Sequence, residues 1–461
     1  MNTTSPAEPA SGTTGSPAWL AGQGGPLRGE LRVPGDKSMS HRAIMLAALA
    51  DGVSRIEGFL ESEDARATEQ AFRQMGVRID APSPGTREVH GVGIHGLQAP
   101  QRPLDCGNSG TAMRLLAGLL AGQGFDAVLT GDASLSTRPM RRVTEPLARM
   151  GASIDTRDGR PPLTIQAKNE LQAIAFESEV ASAQVKSAIL LAGLYARGTT
   201  RVEEPRPTRD YTERMLAAFG WPVDFAPGRA ELSGGHRLRA TDVSVPADFS
   251  SAAFFIVAAT LVPGSELRLS RVGTNPRRTG LLPVLRLMGA DIEEHPAGEE
   301  GGEPVADLVV RHAALRGIQV PEEHVADMID EFPALFVAAA CASGPTVVRG
   351  AAELRVKESD RIATMAAGLR ALGIRVDERP DGAVIHGGTL QGGTIDSHGD
   401  HRVAMAFAVA AQLAQGAVRI ADVANVATSF PGFVELARGA GFGLRTGGAG
   451  GINRSGSPPA Q

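Results

Sequence analysis

Charged and hydroxyl residues stand at the start of six long apolar stretches of the sequence. Residues 43–50 and 403–414 are two such stretches. Helix N-termini carry unpaired N–H groups and the positive end of the helix dipole, so several of them aimed at one point form an anion site. The polar residues at these starts are Lys37, Ser38, Ser40, His41, Arg42, Asn108, Ser109, Gly110, Thr111, Ser182, Gln184, Lys186, Ser250, Ser251, Asp330, Glu331, Asp400, His401 and Arg402. The pattern predicts chemistry on anionic reactants.

The basic residues in this set distinguish two interpretations of the pattern, a binding site and ordinary helix caps. Four members fit the N-cap preference, worth about 0.5–2 kcal/mol each. They are Ser182, Ser250, Asn108 and Asp330. Lys37, Arg42 and Arg402 do not fit it, because a cation at a helix N-terminus opposes the dipole unless an anion lies beside it. We therefore predict that these three side chains bind an anion.

Two further basic clusters lie outside the helix starts, at residues 136–142 and 355–361. In the second, Lys357 and Arg361 are four residues apart and alternate with acidic residues, which is also typical of a solvated, salt-bridged helix face. The arginine fork binds phosphate or carboxylate in a bidentate way. Arg138, Arg361 and Arg402 would therefore form a site if the fold brings them together.

A glycine that follows an apolar residue and precedes a short strand-like run recurs six times. The six are Gly76, Gly151, Gly220, Gly289, Gly373 and, more loosely, Gly441, spaced by 75, 69, 69, 84 and 68 residues. Each ends an amphipathic helical stretch, and upstream of each lies a stretch that is apolar nearly all round and must be buried on all sides. The sequence predicts six α/β repeats, three per domain, with residues 240–248 as the crossing point.

The composition predicts a cytoplasmic enzyme of two or more domains. The 461 residues carry 46 basic and 51 acidic side chains, a net charge of -5 that indicates neither nucleic acid nor membrane as a partner. Cys106 and Cys341 lack the spacing of a disulfide framework or a zinc site. Residues 1–26 and 446–461, rich in small and polar residues, are predicted to be disordered tails.

Six short motifs occur in order between residues 27 and 445. They are Asp36-Lys37-Ser38-x-Ser40-x-Arg42, Gly107-Asn108-Ser109-Gly110-Thr111-Ala112-Met113-Arg114, Arg138-Pro139-Met140, Ser182-Ala183-Gln184-Val185-Lys186-Ser187, Arg355-Val356-Lys357-Glu358-Ser359-Asp360-Arg361 and Asp400-His401-Arg402. Together they resemble the 5-enolpyruvylshikimate-3-phosphate synthases. The resemblance implies an α/β fold, a two-domain inside-out α/β barrel of six βαβαββ units that closes over its substrates. It places the first domain at 37–245 and the second at 246–445, completed by strand 27–36, in a monomer.

The resemblance also implies the reaction and its residues. The enolpyruvyl group of phosphoenolpyruvate would move to the 5-hydroxyl of shikimate-3-phosphate by addition and elimination, without cofactor or metal. The shikimate-3-phosphate ligands would be Lys37, Ser38, Arg42, Ser182, Gln184, Arg209, Asp330 and Lys357. The phosphoenolpyruvate ligands would be Lys37, Gly110, Arg138, Gln184, Arg361 and Arg402. Asp330 is the candidate base for the hydroxyl, and Glu358 or Lys37 is the candidate acid for C3.

Two alternatives are open at this point. The sister enzyme that uses UDP-N-acetylglucosamine shares the fold and has a cysteine on a mobile loop, whereas residues 131–138 contain none. A non-catalytic repeat protein that binds an anionic partner would leave unexplained why charged groups occupy the helix starts in both halves.

Residues 427–431 depart from the Lys-Thr-Phe-Pro of many family members, since they read Ala-Thr-Ser-Phe-Pro. Ser182-Ala183-Gln184 also replaces Ser-Ser-Gln. Both features resemble the second, glyphosate-tolerant subgroup. The tolerance feature best known there is Ala at the position of Gly110, however, and Gly leaves room for the inhibitor. We therefore predict that glyphosate competes with phosphoenolpyruvate.

Overall fold

The computed structural model describes residues 17–167 and 170–447, which form repeats of one α/β unit. Two strands, β1 (Ala18–Gly22) and β2 (Arg28–Leu31), precede the first unit. The first three units contain α1 (Lys37–Leu49), β3 (Ala50–Glu57), α2 (Glu63–Gln74), β4 (Arg78–Asp80), β5 (Thr86–Val92), β6 (Leu104–Asp105), α3 (Gly110–Leu120), β7 (Ala127–Thr130), α4 (Arg141–Arg149), β8 (Ser153–Arg157), β9 (Arg160–Gln166), β10 (Leu171–Gln172), β11 (Ala175–Glu177), α5 (Ala183–Gly193), β12 (Ala196–Arg197), β13 (Thr199–Glu203), α6 (Tyr211–Ala218), β14 (Val223–Ala226), β15 (Arg229–Ser233), β16 (Leu238–Arg239) and β17 (Val243–Ser244).

The second half repeats the pattern of buried helix, strand, outer helix and hairpin. Its elements are α7 (Phe249–Leu261), β18 (Glu266–Gly273), α8 (Leu281–Met288), β19 (Asp291–Glu300), β20 (Glu303–Arg311), α9 (Phe332–Ala340), β21 (Pro345–Val348), α10 (Arg361–Ala371), β22 (Val376–Arg379), β23 (Gly382–His386), β24 (Gln391–Asp396), α11 (His401–Ala411), β25 (Gln415–Ala421), α12 (Phe433–Gly439) and β26 (Gly443–Gly447). Short 3-10 turns lie at Leu135–Thr137, Glu322–His324, Ala326–Met328, Ala352–Val356 and Ala424–Thr428.

The repeated glycines end the outer helices, as the sequence predicts. The φ angles of Gly76, Gly151, Gly220, Gly289, Gly373 and Gly441 lie between +80° and +114°. A side chain strains the backbone in this left-handed region, and glycine does not. The repeat therefore has a geometric cause, because each outer helix must stop and turn into its hairpin at the same place.

The apolar stretches form the buried helices α1, α3, α5, α7, α9 and α11, which confirms the prediction that they are covered on all sides. Every residue of α7 is buried. A Cβ at Gly118 of α3 would lie 2.1 Å from the carbonyl oxygen of Ala188 in α5, so glycine allows these two helices to touch. The buried apolar side chains gather in two clusters. One lies within residues 39–245, and the other combines residues 19–33 with residues 247–444.

Within the described residues, five sheets share one strand order, and three of these five include a strand from a distant part of the sequence. β16 and β17, which follow the third unit, pair in parallel with β3 of the first unit. β2 pairs in parallel with β18 of the fourth unit. β1 lies between β25 and β26 and takes the central hairpin position of the sixth unit. The chain thus crosses between the halves twice, after β2 and after β17.

The predicted N-terminal tail is wrong for residues 17–26. Trp19 of β1 is buried, and its ring stacks on Phe433 at 5.4 Å between centroids. The five residues of β1 lie in Pro-, Gly- and Ser-rich sequence, and both pairing partners lie about 400 residues away, so local composition carries no signal for the strand. The predicted C-terminal tail is likewise wrong for its first two residues, which end β26. Residues 1–16 and 448–461 lie outside the described residues.

The fourth unit carries a long hairpin, β19–β20, that reaches the other half. Its tip accepts a hydrogen bond from Arg214 of α6 through the carbonyl of Gly302, at 3.4 Å. Beside it, the amide of Asn275 donates to Asp210 of the first half and to Glu303, both at 2.7 Å. We call these five residues the closure contact. Among the described residues, no helix is long and apolar enough to cross a membrane.

Candidate active site

The starts of the buried helices face one cavity of about 420 Å³ between the two halves, within the size range of small-molecule sites. Its walls include most of the predicted substrate and catalytic residues. These are Lys37, Ser38, Gly110, Arg138, Ser182, Gln184, Arg209, Asp330, Lys357, Glu358 and Arg402. Arg42 and Arg361 lie behind the walls.

Lys37 begins α1, where Asp36 caps the helix by accepting the N–H of Met39 at 2.8 Å. The Lys37 ammonium donates to Asp64 Oδ2 at 2.7 Å. Burial raises the pKa of Asp64, and Lys37 opposes that shift. A protein carboxylate therefore provides part of the negative charge that a lysine at this position requires. Asp64 lies on the outer helix α2, where the sequence pattern does not single it out.

Arg42 is buried rather than exposed to the cavity. Its guanidinium donates to Thr212 Oγ1 at 2.7 Å, to Ser187 Oγ at 2.9 Å and to the carbonyl of Ser38 at 2.9 Å. Burial lowers its pKa to about 10, with Arg209 adding to the effect. In this arrangement Arg42 supports Ser38 and joins α1 to α5 and α6.

Arg138 lines the cavity and is 7% exposed. It donates to Asn108 Oδ1 at 2.8 Å, and its Nη1 is 3.5 Å from Glu358 Oε1 of the other half. A Cβ at Gly110 would lie 2.9 Å from Arg114 Nη1 and 3.2 Å from Arg138 Nη1. Glycine at this position therefore lets two guanidinium groups approach the first turn of α3.

Arg114 is a cavity residue that the sequence analysis did not assign. It donates to Gln184 Oε1 at 2.6 Å, and the Gln184 amide donates to Thr111 Oγ1 at 2.8 Å. Burial lowers the pKa of Arg114 to about 10, with Arg138 and Arg142 adding to the effect. Its position one helical turn after Gly110 could have revealed it, since residues four apart share a helix face.

Asp330 is surrounded by cations from both halves. Arg209 Nη2 donates to its Oδ2 at 2.7 Å, while Lys357 Nζ and Arg361 Nη1 each lie 3.4 Å from its Oδ1. Burial raises the pKa of Asp330, but Lys357, Arg402 and Arg209 together hold it well below its usual range. The side chain is therefore a carboxylate that can accept a hydrogen bond from a hydroxyl group.

Glu358 is held as a carboxylate in the same way. Arg361 Nη2 donates to its Oε2 at 2.5 Å, and Arg361 Nε donates to Asp400 Oδ2 at 2.8 Å. Burial raises the pKa of Glu358, but Arg361 and Arg138 hold it well below its usual range. Arg361 is 1% exposed, so the interpretation of residues 355–361 as a solvated helix face is wrong for this arginine.

Several polar atoms on or behind the cavity wall have no hydrogen-bond partner within residues 17–167 and 170–447. They are Asp64 Oδ1, Arg138 Nε, Arg278 Nε, both ring nitrogens of His401 and Ser429 Oγ. Burial lowers the pKa of His401 well below its usual range, and Lys37 and Arg402 add to the effect, so the imidazole is neutral. Buried polar groups in native proteins are nearly always paired. These atoms therefore indicate a polar ligand.

The ligands of a metal ion are not evident in the part of the chain that the structure describes. No group of three or more His, Cys, Asp or Glu side chains there could hold one. The positive electrostatic potential in the cavity instead comes from arginine and lysine side chains and from helix N-termini.

Comparisons with known proteins agree with this architecture. The family model for EPSP synthase (3-phosphoshikimate 1-carboxyvinyltransferase) matches residues 22–436. A 3-phosphoshikimate 1-carboxyvinyltransferase of Xanthomonas campestris pv. campestris (strain B100) is 70% identical over 427 residues, which cover 92% of this chain and 98% of that protein. The homologous enzyme of Xanthomonas euvesicatoria pv. vesicatoria (strain 85-10) is 69% identical over 431 residues, covering 93% and 98%.

Solved structures show the same likeness. EPSP synthase from Acinetobacter baumannii superposes with a TM-score of 0.84 at 50% identity, covering 94% of this chain and 100% of that one. The enolpyruvyl transferase NikO from Streptomyces tendae superposes with a TM-score of 0.77 at 22% identity, covering 95% and 100%, and shows the fold alone.

The fold is thus the two-domain inside-out α/β barrel of the enolpyruvyl transferases. Within that class, the chain belongs to the EPSP synthase family. Its reaction transfers the enolpyruvyl group of phosphoenolpyruvate to the 5-hydroxyl of shikimate-3-phosphate and releases phosphate, a step of aromatic amino-acid biosynthesis. This assignment favours the shikimate acceptor over the nucleotide sugar, and an enzyme over a non-catalytic binding protein.

Proposed function

We propose that the two substrates divide the cavity between them. Shikimate-3-phosphate binds to Ser38, Ser182, Arg209 and Lys357, supported from behind by Arg42. Phosphoenolpyruvate binds to Gly110, Arg138 and Arg402, with Arg361 behind them, and Lys37 and Gln184 lie between the two ligands. The observation that carries this proposal is the convergence of cations from both halves on one cavity of a slightly acidic protein. Such local groups supply the field that two anionic substrates need.

The proposed reaction uses Asp330 as the base. As the 5-hydroxyl oxygen bonds to C2 of phosphoenolpyruvate, Asp330 accepts the hydroxyl proton and a side-chain acid, Glu358 or Lys37, delivers a proton to C3. C3 of the tetrahedral adduct is a methyl group, and the deprotonated acid takes back one of its three protons while the bond from C2 to the phosphate oxygen breaks. Phosphate leaves, and the enolpyruvyl double bond reforms. Closure of the halves excludes water that would hydrolyse the adduct.

The test of this assignment is phosphate release with each of two acceptors. We expect release from phosphoenolpyruvate with shikimate-3-phosphate and none with UDP-N-acetylglucosamine. Asp330→Asn should lower kcat on the order of 100-fold or more, because it removes the base but keeps the shape. Asp327→Asn is the matched control, since Asp327 pairs with Arg277 outside the cavity wall. Equal kcat values for the two variants would rule out Asp330 as the base.

We further propose that the chain belongs to the second subgroup by its sequence but binds glyphosate. Gly110 leaves the space in which an added Cβ would approach Arg114 and Arg138. We expect competitive inhibition against phosphoenolpyruvate, with an inhibition constant near the Michaelis constant, and a rise of both constants in Gly110→Ala. Gly439→Ala is the control, because a Cβ there meets open space. An inhibition constant far above the Michaelis constant in the parent protein would contradict the proposal.

We propose that the two apolar clusters are the cores of two domains, residues 37–245 and residues 246–445 with strand 27–36, in a cytoplasmic monomer. The division is supported by the two crossings of the chain, which lie next to the cluster boundaries.

A further inference from the structure

Arg278 is a buried cation that none of the sequence motifs includes. It lies on the loop 274–280 between β18 and α8, is 4% exposed, and its guanidinium borders the cavity. Its backbone N–H donates to the carbonyl of Asn275 at 2.8 Å. A buried charge is strongly unfavourable unless it is paired and hydrogen-bonded. The partners of Arg278 therefore indicate its role.

Two helix starts hold the guanidinium in place. Nη1 donates to Glu331 Oε1 at 2.9 Å, and Nη2 donates to Asp248 Oδ1 at 3.3 Å and to the hydroxyl of Ser250. Asp248 caps α7, and Glu331 occupies the N-cap position of α9. Burial lowers the pKa of Arg278, but Glu331 and Asp248 raise it well above its usual range. The Arg278 guanidinium is therefore charged, and hydrogen bonds to the starts of α7 and α9 hold it in place.

The same fork faces Asp330. Its Nη1 lies 3.6 Å from Asp330 Oδ2, the oxygen that also receives Arg209 of the first half. Arg209 and Lys357 line the cavity and are the proposed ligands of the acceptor, so a bound phosphate or carboxylate competes with Asp330 for them. Arg278 is already engaged by Asp248 and Glu331. It therefore stays against Asp330 while the other cations turn to the substrate.

We infer that Arg278 is a positioning residue that holds the Asp330 carboxylate toward the acceptor hydroxyl throughout the reaction. The inference rests on the proposed role of Asp330 as the base. Other charged groups also face this site from the packed elements around it. They are Asp36, Arg209, Asp248, Glu331, Lys357, Arg361 and Arg402, and the titratable hydroxyl of Tyr211 lies beside them.

The experiment is the pH profile of kcat/KM for shikimate-3-phosphate in Arg278→Met and Arg278→Lys. Methionine removes the charge, so the acid limb of the profile should move to higher pH. We expect kcat to fall about 10- to 100-fold, because a misplaced catalytic group costs up to that factor, with the KM for phosphoenolpyruvate changed less than about threefold. Lysine keeps the charge but not the fork. It should restore the acid limb and part of kcat.

The controls separate positioning from folding. Arg278→Met removes the ion pairs of Glu331 and Asp248 with Arg278, so Arg278→Met/Glu331→Gln is measured beside it, with thermal unfolding of every variant. Arg277→Met is the matched control, since Arg277 is a half-exposed neighbour that pairs with Asp327. A lower melting temperature with an unmoved acid limb and unchanged kcat would overturn the inference. Failure of the base assignment would appear separately, as an active Asp330→Asn in the parent background.

Discussion

Glu358 must gain a proton before it can serve as the acid. Arg361 and Arg138 stabilise its carboxylate. A phosphoenolpyruvate anion that binds these arginines weakens that stabilisation, so the pKa of Glu358 rises on binding. We predict that Glu358→Gln lowers kcat by about 100-fold or more without raising the KM for phosphoenolpyruvate, because glutamine does not compete for the arginines. Steady-state kinetics and deuterium uptake at C3 in D2O measure the two effects.

The control for Glu358→Gln is Glu353→Gln. It removes an ion pair between Glu353 and Arg142, two other residues that line the cavity from opposite halves. Its kcat and deuterium uptake should stay within about threefold of the parent protein. If Glu358→Gln keeps its deuterium uptake and Lys37→Met loses it, the acid is Lys37. That outcome would reject the role of Glu358 and leave the base assignment untouched.

The sequence predicts which residues at the helix starts face the cavity. It does not predict which other residues form hydrogen bonds or ion pairs with them. The sequence singles out Lys37 and Arg402, which line the cavity, because a cation at a helix N-terminus conflicts with the dipole. Asp64 and Arg278 offer no such conflict, because one lies on an amphipathic helix and the other on a polar loop. Their roles arise from contacts between segments far apart in the sequence.

At the scale of the element, β1 ties the N-terminal segment to the sixth unit. Trp19 is buried against Phe433, whereas Leu20 on the opposite face is 48% exposed. Trp19→Ala should lower the unfolding free energy by about 3–5 kcal/mol, since it opens a cavity beside the ring. Urea unfolding followed by circular dichroism measures the loss. Leu20→Ala should stay within about 0.5 kcal/mol of the parent protein, and equal losses in the two variants would contradict the role of β1.

The helices were predictable because the apolar pattern along a helix is local. The sequence therefore indicated six buried helices and the glycines that end their partners. Strand pairing depends on partners that can lie anywhere in the chain. β1 was missed for this reason, although its five residues include a tryptophan.

At the scale of the whole molecule, the closure contact joins the halves through a carboxyl group. Burial raises the pKa of Glu303 to about 8, while its unfolded value is about 4.3. A raised folded pKa stabilises the native state fully below the unfolded value and loses that effect as pH rises to the folded value. The unfolding free energy of Glu303→Gln, relative to that of the parent protein, should therefore rise as the pH increases from 5 to 8, by ~1.4 kcal/mol per pH unit at most. Above pH 8 the difference should stay constant.

Urea unfolding of both proteins across this pH range measures the difference. Glu299→Gln on the same hairpin is the control, because Glu299 is exposed and should give a difference that does not vary with pH. A pH-independent difference for Glu303→Gln would mean that the pKa of Glu303 is the same in the folded and unfolded states, which would contradict the prediction.

The borrowed strands set the order in which a nascent chain can complete its halves. Residues 39–245 contain every partner that the first three sheets need, so this half can fold while the ribosome is still making the rest. β1 and β2 leave the ribosome before that half, yet they must wait for β18, β25 and β26 before they can pair. A chain stalled in the last unit would thus present the edge of β1 and an unburied Trp19, an aggregation-prone segment that a quality-control protease or chaperone could recognise.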